Sequence, residues 1–138
     1  MNAIGMAHKT KVLLVESEPA LRKGLVAELE KTGVAAIDAA DATEGLALAE
    51  DHLPDLIMID AATLIRDGMD GPALLTKLRK RDWCTRVPIL FVDGMSLDDA
   101  SAWGTPENPT YFYEKEKMDL PALIKEIERQ LKEAAIIG

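Results

Sequence analysis

Short apolar runs alternate along this chain with longer stretches whose apolar residues recur at helical spacing. The run Val12-Leu13-Leu14-Val15 predicts a first strand over 11–15. Leu21, Leu25 and Leu29 then form one stripe, which predicts a helix over 19–31. Gly33 stops it, in the left-handed position that glycine favours after a helix. A weaker strand follows over 34–37. Asp41 and Glu44 make a capping-box-like start for a second helix running to about Asp51. A third strand over 56–59 lies within Asp55-Leu56-Ile57-Met58-Ile59-Asp60. A long connection over 61–69 leads to Asp70-Gly71-Pro72, a helix start with proline in its first turn. Leu74, Leu75 and Leu78 turn that helix inward. The fourth strand is expected over 87–92 and a short helix over 95–103. Gly104, Pro106 and Pro109 then break the chain before a fifth strand over 110–113. The last helix opens near Asp119 and carries Leu120, Leu123, Ile124, Ile127 and Leu131 on one face.

Strands alternating with helices imply an α/β fold with helices on both faces of a parallel sheet. Right-handed crossovers and short connections favour a three-layer, doubly wound, five-stranded sheet of flavodoxin-like topology, in strand order 2-1-3-4-5. Residues 1–10 read as a loose N-terminal arm and 11–138 as one domain, with no repeat or linker. The formal net charge of −8 argues against a DNA phosphate contact by this chain, and leaves protein partners open. Cys84 is the only cysteine, so no internal disulfide forms and a reducing compartment is expected. No apolar run reaches the roughly 20 residues that span a bilayer. A cytoplasmic protein is expected.

The chemistry gathers at strand ends. Asp60 closes the third apolar run, and Glu16-Ser17-Glu18 follows the first. In the predicted strand order these ends lie side by side, where open α/β sheets bind their ligands. Two acidic strand ends suggest a hard-cation or phosphoryl site, not a cradle for free phosphate. Glu18 reads as a solvated residue at a helix N-terminus. A nucleotide-binding or flavodoxin-like enzyme needs a glycine- or hydroxyl-rich loop after strand one, and Glu16-Ser17-Glu18-Pro19 would repel phosphate there. A phosphatase with an aspartyl nucleophile would want that Asp after strand one, with a second Asp two positions on. An enzyme with diffusible substrates is therefore disfavoured.

With these landmarks in order, the chain resembles the receiver domains of bacterial two-component response regulators, over about 11–131. Such receivers carry an acidic pair after strand one, a phosphorylated Asp after strand three, Ser or Thr after strand four, and Lys after strand five. Here Glu16 and Ser17, Asp60, Asp93 and Lys115 occupy those places. The resemblance implies that Asp60 is the phosphoacceptor, attacking a phosphoryl group to give an acyl phosphate. It places any Mg²⁺ against Glu16, Asp60 and a backbone carbonyl near Ala62. It makes Lys115 the lysine that meets the phosphoryl oxygen, and Phe112 the aromatic that turns in or out on signalling. Trp103, Met95 and Tyr113 fall on the output face and form a candidate recognition patch.

Several positions depart from that pattern. Ser17 stands where a metal-binding Asp is usual, and a neutral hydroxyl is a poor substitute for a carboxylate on a hard cation. Asp93 replaces the hydroxyl residue, and an ionised carboxylate only accepts hydrogen bonds. Two readings compete for it: an ion pair with Lys115, or the metal ligand that Ser17 lacks. Glu116 replaces the usual cis-proline. Asp70-Gly71 arrives about three residues late, with Leu64, Ile65 and Arg66 in the added loop. Without a well-held cation, one like-charge pair at about 4 Å costs about 4 kcal/mol at an effective dielectric near 20. That is roughly three decades in rate. The resemblance is thus to the pseudo-receivers: a signalling and protein-interaction module of a two-component phosphorelay, not an enzyme, with weak Mg²⁺ binding. The alternative is an active atypical receiver, phosphorylated on Asp60 by a histidine kinase with Mg²⁺. Expected partners are a histidine kinase or a downstream signalling protein, and the resemblance allows a homodimer through the last helix.

Overall fold

The computed structural model describes residues 9–62, 68–93, 109–114 and 119–137, apart from the side chains of 93, 112, 114 and 135–137. Five parallel strands run β1 Lys11–Val15, β2 Ala35–Ala39, β3 Leu56–Asp60, β4 Ile89–Asp93 and β5 Thr110–Glu114. Their order is β2-β1-β3-β4-β5, as the pattern predicts. Helices α1 Pro19–Lys31, α2 Ala42–His52 and α3 Gly71–Arg79, and the C-terminal helix Leu120–Ile137, cover the two faces.

Alternate residues of each strand feed opposite cores. Leu13, Val15, Ile57, Ile59, Ile89 and Phe91 pack with Leu74, Leu75 and Leu78 of α3 and with Ala42 and Ala49 of α2. Val12, Leu14, Leu56, Met58, Leu90 and Val92 pack with Leu25 and Leu29 of α1 and with Leu123 and Ile127 of the C-terminal helix. Burial on both faces explains why the central strands are unbroken apolar runs.

The helix boundaries follow their punctuation. Thr32 caps α1, and Gly33 then adopts φ 91°. Asp41 accepts from the Glu44 N–H at 2.8 Å, while Glu44 reaches back to the Ala40 N–H at 2.7 Å. Asp70 caps α3 by accepting from the Ala73 N–H at 2.8 Å. Three details differ from the sequence expectation. β2 lies one to two residues later than 34–37, because its pairing with all of β1 carries it to Ala39. β4 starts at Ile89 and not at 87, since Pro88 has no N–H and Val87 donates backward to the Cys84 carbonyl at 3.2 Å. A 3-10 turn, Asp82–Cys84, precedes it without a signal in the hydrophobic pattern. The short helix expected over 95–103 lies outside the described residues.

Candidate functional site

β1 and β3 are neighbours in register, with Val15 opposite Ile59. The next residue of each strand is an acid, so Glu16 and Asp60 emerge together at the carboxyl edge of the sheet. Both are almost fully buried, at 1% and 2% exposure. The third buried carboxylate among the described residues, Asp41, caps α2 just beyond β2.

Glu16 is fixed at three atoms. Its N–H donates to the Ala39 carbonyl at 3.0 Å, and its carbonyl accepts from Arg22 Nη1 at 2.8 Å. Its Oε2 accepts from the Glu18 N–H at 3.0 Å, where α1 begins. Arg22 Nε also donates to Asp38 Oδ2 at 3.0 Å, so one guanidinium ties the β1–α1 loop to β2. Ser17, partly exposed, is the next residue along.

Asp60 closes β3, paired with Val92 of β4. Its Oδ1 accepts from the Ala62 N–H at 2.8 Å, and Ala61 N–H donates to the Val92 carbonyl at 2.9 Å. The first turn of α3 lies against this segment. A Cβ added to Gly71 would stand 3.0 Å from Ala61 Cα and 3.1 Å from the Ala61 carbonyl oxygen.

The remaining candidates divide. Asp93 closes β4 opposite Glu114, at the same edge as Asp60. Its side chain, the Phe112 side chain, Lys115, Met95, Trp103 and loop residues Leu64, Ile65 and Arg66 lie outside the described residues. Both groups on which the ion-pair and metal-ligand readings of Asp93 depend, its own carboxylate and Lys115, thus fall outside the described residues. Tyr113 is half-buried, packed against the core shared by α1 and the C-terminal helix. Its hydroxyl donates to Glu126. Burial first, then that bond, pushes the phenol well above its ordinary pKa. Glu126 is held below the usual carboxylate range chiefly by Arg129, whose Nε and Nη2 donate to it at 2.6 and 2.8 Å.

Sequence reasoning missed Arg22 as the fastener of the acidic loop. The available signal was a cation one helical turn past Glu18, between two acidic segments. It also missed the close seat of Gly71. For a cation, Glu16 and Asp60 supply hard oxygen donors of the right kind, and Ser17 supplies a neutral one. Among the described residues, no three His, Cys, Asp or Glu side chains group as a metal centre.

A family model, the response regulator receiver domain, matches residues 12–102. The chain belongs to that family. The receiver sequence is 34% identical over 103 residues to the response regulator Rre1 of Synechocystis sp., covering 72% of this chain and 43% of Rre1. It is 30% identical over 130 residues to the sensor kinase CckA of Brucella abortus, covering 94% of this chain and 13% of that kinase. The chain thus spans less than half the length of either relative. A CheY-like receiver domain protein from Methanospirillum hungatei superposes with a TM-score of 0.78 at 24% identity, covering 95% of this receiver and 100% of that chain. That likeness supports the five-stranded fold. No helix among the described residues is long and apolar enough to cross a membrane.

Proposed function

We propose that this receiver, over 11–138, is a signalling and protein-interaction module whose pocket is degenerate for phosphorylation. It acts through protein contacts in the cytoplasm and has no enzymatic turnover of its own. The observation that carries this reading is the β1 end. One buried carboxylate, Glu16, faces the edge shared with Asp60, and its Oε2 is already engaged by the Glu18 N–H. Ser17 adds no second carboxylate. Asp93 stands where a hydroxyl would receive a phosphoryl oxygen. A dianionic phosphoryl group would meet acids on neighbouring strand ends with little cation to offset them.

Its partners are a histidine kinase or a downstream signalling protein, reached without nucleic acid, and a homodimer through the C-terminal helix fits the same role. Trp103, Phe112 and Tyr113 are the proposed signalling residues. A second reading is favoured by one feature: Asp60 is buried beside Glu16 with its carboxylate oriented by the Ala62 N–H. In that reading Asp60 is the phosphoacceptor and Lys115 meets the phosphoryl oxygen. Glu16, Asp60 and the Ala62 carbonyl would hold Mg²⁺ weakly. The cation would supply charge neutralisation for the incoming phosphoryl group.

Intact mass after incubation with Mg²⁺ and a small phosphodonor decides between them, alongside Asp60→Asn. No added mass, with the fold intact, is the expected outcome. One added phosphoryl group, abolished by Asp60→Asn, would establish the active receiver.

A further inference from the structure

The connection from β3 to α3 is closed at its base, whatever lies along it. Gly71 opens α3 and sits flush on the backbone leaving β3. A Cβ there would stand 3.0 Å from Ala61 Cα, 3.1 Å from the Ala61 oxygen and 3.3 Å from the Asp60 oxygen. All three are backbone atoms, so none can rotate away as the tip of a side chain would. A Cβ would require that backbone to give by a few tenths of an ångström, and glycine avoids the demand.

The contact is held from both sides. Ala61 N–H is bonded to the Val92 carbonyl at 2.9 Å, which pins the segment to β4. Asp70 accepts from the Ala73 N–H at 2.8 Å, which fixes the first turn of α3. Ala61 and Met69, at the two ends of the connection, pack against the same apolar cluster. Just beyond the contact, the Ala62 N–H donates to Asp60 Oδ1 at 2.8 Å.

We propose that Gly71 is a positioning residue for Asp60: the flush seat of α3 on Ala61 sets the turn whose Ala62 N–H orients the carboxylate. The seat isolates the geometry of Asp60 from the length and sequence of the loop between. This inference rests on the second reading above, in which Asp60 is the pocket's reacting carboxylate, but its readout does not require phosphorylation. A Cβ at position 71 displaces Ala61 by a few tenths of an ångström, and on this proposal that shift turns the Ala62 N–H away from Asp60.

The test is the Ala62 amide proton shift and its hydrogen-exchange protection in the ¹⁵N-labelled 138-residue chain at neutral pH. Asp60→Asn is expected to move the resonance upfield, which assigns the bond to the carboxylate. Gly71→Ala is expected to move it likewise and to lower its protection. Leu29→Ala, a core variant on the opposite face, is expected to lower the melting temperature while leaving the Ala62 shift in place. A folded Gly71→Ala that keeps the wild-type Ala62 shift overturns the proposal. So does a Leu29→Ala that moves it equally, since global loosening would then account for both. If Gly71→Ala does not fold, Asp70→Ala decides: it frees the first turn of α3 without adding bulk, and an unmoved Ala62 resonance rejects the idea. A negative phosphodonor experiment leaves all these outcomes unchanged, so failure of the functional reading and failure of this one are separable.

Discussion

Tyr113 of β5 donates its hydroxyl proton to Glu126 of the C-terminal helix, one turn before the buried Gln130. The bond fastens the carboxyl end of an edge strand to the helix that covers it. Gln130 lies beside both with its Nε2 short of a well-formed hydrogen bond to either. Tyr113→Phe keeps the ring's packing and removes one bond to a charged acceptor. Glu126 retains its bidentate Arg129, so no charge is orphaned. A loss of about 1–2 kcal/mol is expected in urea unfolding. An unchanged midpoint would mean that Arg129 and apolar packing alone hold this corner.

Glu126 also predicts a pH dependence. Arg129 first, and Tyr113 after it, lowers its pKa in the folded protein. A carboxyl depressed on folding contributes stability above its unfolded pKa, about 4.3. That contribution is lost as pH falls through the folded value. The melting temperature of the wild type should therefore exceed that of Glu126→Gln near neutrality. The gap should narrow below pH of about 4. A gap that stays constant into acid would show that the charge of Glu126 is not what stabilises the helix.

Arg79 closes the opposite end of the sheet. Its Nη1 donates to the carbonyls of Cys84 and Val87 at 2.7 and 2.9 Å, and its Nη2 to the Pro109 carbonyl and Thr110 Oγ1 at 2.7 and 2.9 Å. One guanidinium thus joins the end of α3 to the starts of β4 and β5. Removing it takes the donor from the Val87 carbonyl and one of two donors from the Cys84 and Pro109 carbonyls, which keep the N–H groups of Val87 and Ile89, and Arg79→Met is expected to cost about 3 kcal/mol. Arg79→Lys should recover only part of that, because an ammonium cannot span the same fork. Burial pushes the neighbouring Cys84 thiol up to about 11. Native Cys84 should therefore resist a thiol reagent at neutral pH; Arg79→Met removes a charge that lowers the thiol pKa, yet should speed labelling because the loosened fold exposes the sulfur. Equal labelling rates would place the opening elsewhere.

What was legible in the sequence follows from how each feature is encoded. Val12 to Val15 and Leu56 to Ile59 are continuous apolar runs because both sheet faces are covered, so the central strands and their order could be read directly. Caps such as Asp41 and Asp70 carry local signals and were equally plain. The pairing of Glu16 with Asp60 needed only the strand order and the last residue of each run. Arg79 was not legible, because most of its partners are backbone carbonyls, which leave no mark on residue type; Arg22 shares that difficulty in its bond to the Glu16 carbonyl, and only its acidic neighbours, Asp38 among them, offered a signal. The seat of Gly71 on Ala61 was hidden for the same reason: the partner is backbone ten positions away. The β2 and β4 boundaries slipped where pairing and a proline, not hydrophobicity, decide the ends.

The carboxylate count at the β1 end gives the sharpest prediction about function. Glu16 and Asp60 offer two hard ligands, and Ser17 holds the place of a third. Replacing Ser17 by Asp adds that ligand on a loop already fixed through the Glu16 backbone by Arg22 and Ala39. In the absence of divalent cation, Ser17→Asp should lower stability, since a further negative charge joins an acidic edge. With Mg²⁺ at tenfold its dissociation constant, binding should return about 1.4 kcal/mol. The check is the melting temperature against Mg²⁺ concentration. The wild-type curve should be nearly flat at millimolar Mg²⁺ and the Ser17→Asp curve should rise. A steep rise already in the wild type would mean that Glu16 and Asp60 hold the cation unaided, and would favour the active receiver over the degenerate one.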